Sequence, residues 1–228
     1  MIVETKIREG ASAAVESASG ERAAFKDATE AVAALAKFAK GFVYPRVRAD
    51  PEKIACDSAE AAWLKPFARK SPRCVELYGR WASENLPRMV KSLKYVINQE
   101  QYDILARRMA SDLIRSWREG SGDRESRLTI GAGFCAVDLL FMAINESEDC
   151  RIDLVQPFLH VPLEGGALKP LRHILDALLD RDFSVEIPAA IPAGYIATEE
   201  HYYLVQGAVF ELARRACAPP IAYAYFCA

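Results

Sequence analysis

Two sets of residues have the types and spacing to do chemistry. The first is Ile130-Gly131-Ala132-Gly133-Phe134-Cys135-Ala136, a match to G-x-G-x-x-A, with Asp153 twenty residues beyond Gly133. In such a segment the glycines let the backbone approach a pyrophosphate, a helix N-terminus faces its charge, and the acid binds ribose hydroxyls. The second set is basic: Arg88, Lys91, Lys94, Arg107, Arg108, Arg115 and Arg118, with Tyr95 among them. Cations without local acids neutralise phosphates, and a neighbouring tyrosine stacks on an exposed base.

The glycine motif needs a strand before it, Leu128-Thr129-Ile130, and a helix after it, Gly133 to Asn145. With Gly131, Gly133 and Asp153 it supports one reading, an enzyme with a Rossmann-like nucleotide or S-adenosylmethionine site at Gly131–Ala136. Three features weigh against that reading. The strand is short and begins in a charged loop, Asp153 falls inside its own strand candidate, and about 100 residues are left for the whole fold. A Gly-x-Gly turn followed by a core helix accounts for the same residues.

Charge layout favours the basic set. The chain has 228 residues and a net charge of −2, which at first argues against a polyanionic partner. Split at Arg127, it becomes 23 Lys/Arg against 18 Asp/Glu before and 6 against 13 after, or +5 and −7. Between Lys65 and Arg118 the balance is 12 against 5, or +7. At about 100° per residue, Arg88, Lys91, Lys94 and Tyr95 share one arc of a helix, opposite Met89, Val90, Leu93, Val96 and Ile97. Arg107, Arg108, Arg115 and Arg118 cluster on the next helix, opposite Tyr102, Leu105, Met109, Leu113 and Trp117. Arg73, Glu76, Arg80 and Glu84 instead have the spacing to pair among themselves. A solvated face, balanced by acids elsewhere, is the plain alternative to binding. Trp63, Trp81 and Trp117 lie on or near apolar stripes and read as core.

Other candidates are weaker. Asp138 sits among Val137, Leu139, Leu140 and Phe141, so it is expected to be buried and to need a partner, for which an arginine of the helical half is the obvious choice. His173, Asp176 and Asp180 share a helical face, as solvated polar residues do. Gly165-Gly166 before Lys169 and Arg172 has the makings of an anion nest but also of an ordinary loop. Six cysteines with no CxxC spacing read as reduced thiols, mostly buried, and no metal site is expected. No G-x-S-x-G, HExxH or P-loop occurs, and no zinc finger, RNP1 or KH signature.

The elements that must position these residues divide the chain. Helices are expected from about Gly20 to Lys40 (capped by Ser19), from Asp57 to Leu64, from Ser71-Pro72 to Glu84, from Pro87 to Ile97, and from Gln99, capped by Asn98, to Glu119. Gly120 to Ser126 is the natural boundary. Beyond it, strands are expected at Leu128–Ile130, Arg151–Val155, Phe158–Val161, Phe183–Ile187 and Ile221–Tyr225, alternating with helices from Pro170 to Leu179 and from Thr198 to Cys217. Met1 to Ile7 is a further short strand or a loose arm. The expected fold class is α+β: a mainly helical domain, 1–119, joined to a smaller acidic α/β domain, 128–228, with a mixed sheet of about four strands.

The leading functional expectation is a non-catalytic, nucleic-acid-associated binding protein without a cofactor, a subunit of a larger assembly. The basic helices would meet phosphates and the acidic half another protein. A third reading is a structural protein whose oppositely charged halves pair between copies. The charged N-terminus lacks a secretory h-region, and the most apolar stretch, Phe134 to Ile144, is too short to span a bilayer. A cytoplasmic protein without membrane contact is expected.

Overall fold

The computed structural model describes residues 24–59, 64–69, 73–121, 127–150, 152, 154–179, 187–191 and 195–228. Among them the regular elements are helices: α1 (Ala28–Ala39), α2 (Pro51–Ala59), α3 (Lys65–Ala68), α4 (Arg73–Leu93), α5 (Gln99–Ser121), α6 (Ile130–Glu146), α7 (Gly165–Leu168), α8 (Leu175–Leu179), α9 (Glu199–Arg215) and α10 (Ile221–Cys227). Short 3₁₀ turns at Gln156–Phe158 and Lys169–Leu171 connect them.

The long helices start where side chains can take the first free N–H groups. Asp27 accepts from Glu30 N at 2.9 Å, Asn98 from Gln101 N at 2.9 Å, Thr129 from Ala132 N at 3.2 Å and Thr198 from His201 N at 3.2 Å. Helix α2 begins earlier than Asp57: Asp50 accepts from Lys53 N at 2.9 Å, with Pro51 as the first helical residue. Pro87 does not open a helix but lies inside α4. It is exposed, as is Ser83, whose carbonyl loses its helical donor on the solvent side, where water can serve.

Helices α4 and α5 form an antiparallel hairpin. Helix α6 packs along α5, and α2 lies against both α4 and α6. Helix α1 crosses to the other end of the chain, packing on α9 and α10, while α9 also meets α6 and α8. One cluster of buried apolar residues runs from Phe25 to Phe226. Trp81 and Trp117 belong to it, as expected; Trp63 is outside the described residues.

The expected mixed sheet is overturned. Among the described residues the strand pairing amounts to one isolated parallel bridge, Val47 with Ser147. Leu128 and Thr129 are irregular, and Ile130 already belongs to α6, because Thr129 caps a helix instead of extending a strand. Ile221–Tyr225 is helical: Pro219 and Pro220 lead into a helix rather than a strand, their carbonyls accepting from Ala222 N and Tyr223 N at 2.9 and 3.0 Å. Leu154 to Phe158 is turn and 3₁₀ helix; Arg151 and Asp153 are outside the described residues. Residues 1–7, 122–126 and 183–186, which held further expected elements, are also outside them.

Leu159 to Leu163 has no regular element, and among the described residues no neighbouring strand satisfies it. Side chains do so instead. Gln206 accepts from Val161 N at 3.1 Å and donates to Val161 O at 2.7 Å. His160 N donates to Tyr102 Oη at 3.3 Å, and Gln99 donates to Phe158 O at 3.2 Å. The apolar alternation that reads as a strand is real, but helices carry its hydrogen-bond partners.

Candidate functional site

The sequence-selected cations all reach the surface of the α4–α5 hairpin: Arg88, Lys91, Lys94, Arg107, Arg108, Arg115 and Arg118 are exposed. Their helices turn their apolar faces inward through Met89, Leu93, Met109, Leu113 and Trp117, which fixes the opposite faces toward solvent. Trp81 Nε1 donates to Asp112 Oδ2 at 3.1 Å, locking the two helices together. Arg88 reaches across to the Met109 sulfur at 3.7 Å, beside Arg108 in the chain.

Not all seven are equivalent. Arg107 Nε lies 2.9 Å from Glu199 Oε2 and its guanidinium sits over the Tyr203 ring, while Arg115 is paired with Asp112. Arg88, Lys91, Lys94, Arg108 and Arg118 have no acidic partner among the described residues. Helix α4 ends at Leu93, so Lys94 and Tyr95 stand in the turn rather than on the helical arc. Hydrogen bonds from Tyr95 N to Ser92 O and from Val96 N to Leu93 O, at 3.0 and 3.2 Å, fix that turn. Tyr95 is 72% exposed and Ile97, expected on the buried arc, is 70% exposed.

The glycine motif is placed differently from expectation. Gly131 and Gly133 occupy the first turn of α6, with no strand before them. A Cβ on Gly131 would stand 2.6 Å from Ile196 Cβ and 2.8 Å from Ile196 O; one on Gly133 would stand 2.8 Å from Ile114 Cδ1. Gly131 N donates to Ile196 O at 3.1 Å. The backbone comes close to other parts of this chain where a pyrophosphate would have to sit, so the strand–turn–helix context of the nucleotide reading is corrected. Asp153 lies outside the described residues.

Asp138 is buried as expected, but not against an arginine. Its Oδ2 is 2.7 Å from Tyr202 Oη, which is itself 2.9 Å from His160 Nδ1. His160 Nε2 lies 3.0 Å from Asp103 Oδ1, and Gln99 Nε2 donates to that same oxygen at 2.8 Å. Asp138, His160 and Tyr202 are almost wholly shielded from solvent, and Asp103 stands at the edge. Phe134 stacks on Tyr202 with ring centroids 4.1 Å apart, and Tyr102 meets the His160 ring edge-on at 4.7 Å. The apolar neighbours of Asp138 mark it in the sequence, whereas no local pattern marks Tyr202, Asp103 or Gln99. One signal was available: His160 interrupts the apolar run Phe158 to Leu163, as Asp138 interrupts its own.

Burial dominates the ionisation of this cluster. Desolvation pushes Asp138 well above the usual carboxylate range, against the opposing Tyr202 hydrogen bond. It pulls His160 below its ordinary value, against the pull of Asp103. Desolvation also acts to raise half-buried Asp103, but the hydrogen bonds from His160 and Gln99 and the Arg107 charge outweigh it, leaving Asp103 below the ordinary value.

Among the described residues no cluster of His, Cys, Asp or Glu is arranged to hold a metal ion, and no helix is long and apolar enough to cross a membrane. Cys74, Cys135 and Cys150 are buried, whereas Cys56 and Cys217 are exposed. Comparison with protein-family models, with curated proteins and with solved structures finds no match to this chain.

Proposed function

We propose that this chain is a non-catalytic nucleic-acid-binding protein, a cytoplasmic subunit of a larger assembly, which contacts phosphates through the α4–α5 hairpin. The observation that carries the reading is the set Arg88, Lys91, Lys94, Arg108 and Arg118, exposed on one hairpin without acidic partners among the described residues. An ion-paired cation must first leave its carboxylate, whereas these five can exchange mobile counterions for phosphates directly. Tyr95 supplies an aromatic face at the hairpin turn, suited to an unstacked base and therefore to single strands.

Fluorescence anisotropy with labelled single-stranded DNA and RNA tests the reading. Reversing Arg88, Lys91, Lys94 and Arg108 to glutamate should abolish binding at low salt. Reversing the already paired Arg107 and Arg115 should weaken it less. Retained binding by the folded fourfold variant overturns the proposal. Loss of a salt-sensitive dimer instead of nucleic-acid binding, read by light scattering, would favour pairing between copies through opposite charge.

A further inference from the structure

Tyr202 Oη stands between Asp138 Oδ2 and His160 Nδ1 with one hydrogen to give, so one neighbour must supply the hydrogen for the other contact. The remote end of the chain decides which. Asp103, at the protein surface, has a carboxylate held by hydrogen-bond donors, so the 3.0 Å contact to His160 Nε2 requires the proton on that nitrogen. Gln99 does not compete for this role, because its two N–H groups serve Asp103 Oδ1 and Phe158 O. A neutral imidazole with Nε2–H has a bare Nδ1, which takes the Tyr202 hydrogen. The hydrogen between Tyr202 and Asp138 then comes from Asp138.

We propose that Asp138, Tyr202, His160 and Asp103 form a directional proton relay in which Asp138 stores a proton, and that losing it reverses the relay and releases α5 from His160. In the stored state Asp138 Oδ2–H donates to Tyr202, Tyr202 to His160 Nδ1, and His160 Nε2–H to the Asp103 carboxylate. Asp138 Oδ1, buried without a hydrogen-bond partner among the described residues, is then a neutral carbonyl oxygen rather than half of a dry anion.

Removal of the proton conserves every other atom. Asp103 takes the His160 Nε2 proton and passes it to hydroxide, forming water. His160 Nδ1 takes the Tyr202 proton, and Tyr202 takes that of Asp138. Nε2 now presents a lone pair to Asp103 Oδ1, and the bond between α5 and the 159–161 segment becomes a repulsive contact. Gln99 Nε2, 3.1 Å from His160 Nε2, satisfies the bare nitrogen by turning one N–H away from Asp103 Oδ1.

The groups facing this relay come from each element around it. Helix α5 contributes Gln99, Tyr102 and Asp103, with Arg107 beyond, paired to Glu199. Helix α6 contributes Asp138, with Cys135 beside it facing Glu164 at 3.7 Å. Helix α9 contributes Tyr202 and Tyr203. Among the described residues the one group within ion-pair distance of Asp138 is His160, whose Nδ1 lies 3.9 Å from Oδ1, and a neutral ring puts no positive charge beside the carboxyl.

Nitrogen-15 NMR of the histidine rings in the full chain tests the proposal, because the two tautomers have distinct shifts. His160 should carry its proton on Nε2 at neutral pH and move to Nδ1 as pH rises. Asp138→Asn, which donates to Tyr202 but cannot ionise, should hold the Nε2 tautomer throughout. Infrared spectra of the unaltered protein with carbon-13 aspartate give a second reading, independent of whether that variant folds. A protonated-acid carbonyl band should be present at neutral pH and vanish with the tautomer change. A doubly protonated ring, an Nδ1–H tautomer at neutral pH, or no change up to unfolding overturns the proposal, as does absence of the acid band.

Discussion

His160 Nε2 lies 3.0 Å from Asp103 Oδ1, joining an irregular core segment to the helix that carries Arg107 and Arg108. The bond ties the basic hairpin to the C-terminal part through a buried polar chain rather than through apolar packing alone. Breaking it at one end leaves unsatisfied polar groups in the core, which cost more than the bond itself contributes. Tyr202→Phe should therefore destabilise the fold by about 1–3 kcal/mol, measured by urea unfolding. Asp138→Asn, which keeps the donor toward Tyr202, should cost less.

The stability–pH profile should carry two opposite slopes. Asp138 ionises in the unfolded chain above about pH 4 but stays neutral when folded, so stability is lost as pH rises from there toward its raised folded value. Glu146, desolvated and accepting from Tyr225, has its pKa raised to about 7 and adds a loss between about pH 4.5 and 7. His160 acts in the other direction: held neutral by burial, it withdraws stability as pH falls below about 6.5. Glu146→Gln should remove a slope of up to about 1.4 kcal/mol per pH unit in that window. An unchanged profile in denaturant titrations across pH 4–8 would exclude this role for Glu146.

Gly131→Ala should destabilise by about 1–3 kcal/mol, because its Cβ would press on the Ile196 backbone oxygen as well as its side chain. Gly133→Ala meets the Ile114 side chain at 2.8 Å but no backbone atom closer than 3.7 Å, and should cost less. Thermal denaturation of both variants distinguishes this packing role from nucleotide binding. NAD, ATP and S-adenosylmethionine should leave the unaltered protein's midpoint unmoved.

Cys217 adopts φ 51° just past the end of α9, with Ala218 N donating to Ala213 O at 2.9 Å and Cys217 N to Arg214 O at 3.2 Å. This is the double bond pattern that usually carries glycine at the left-handed position. Cys217→Gly should stabilise the protein by about 0.5–1 kcal/mol, visible as a higher thermal midpoint. A lower midpoint would show that the cysteine side chain contributes more than the backbone strain removes.

Local chemistry explains which features were legible. Asn98 and Thr198 cap helices where their neighbours imply, since a cap depends on a few adjacent residues. The exposed side of the hairpin was legible for the same reason, through helical period and charge. Phe158–Val161 and Ile221–Tyr225 alternate like strands yet form none, because what decides their state is distant. Gln206 and Tyr102 satisfy the first segment, and Tyr223 Oη donates to Ala167 O at 2.7 Å in the second. Asp138 was recognisable as buried from its apolar neighbours, but its partners come from three separate stretches of chain, which no local pattern joins.

The salt dependence of binding to a single-stranded oligonucleotide tests the functional account most directly. Five cations without acidic partners among the described residues, meeting phosphates, predict a plot of log affinity against log salt with a slope of about −3 to −4, lost in the Arg88, Lys91, Lys94 and Arg108 reversal. No detectable binding at low salt, or binding indifferent to salt, would contradict it.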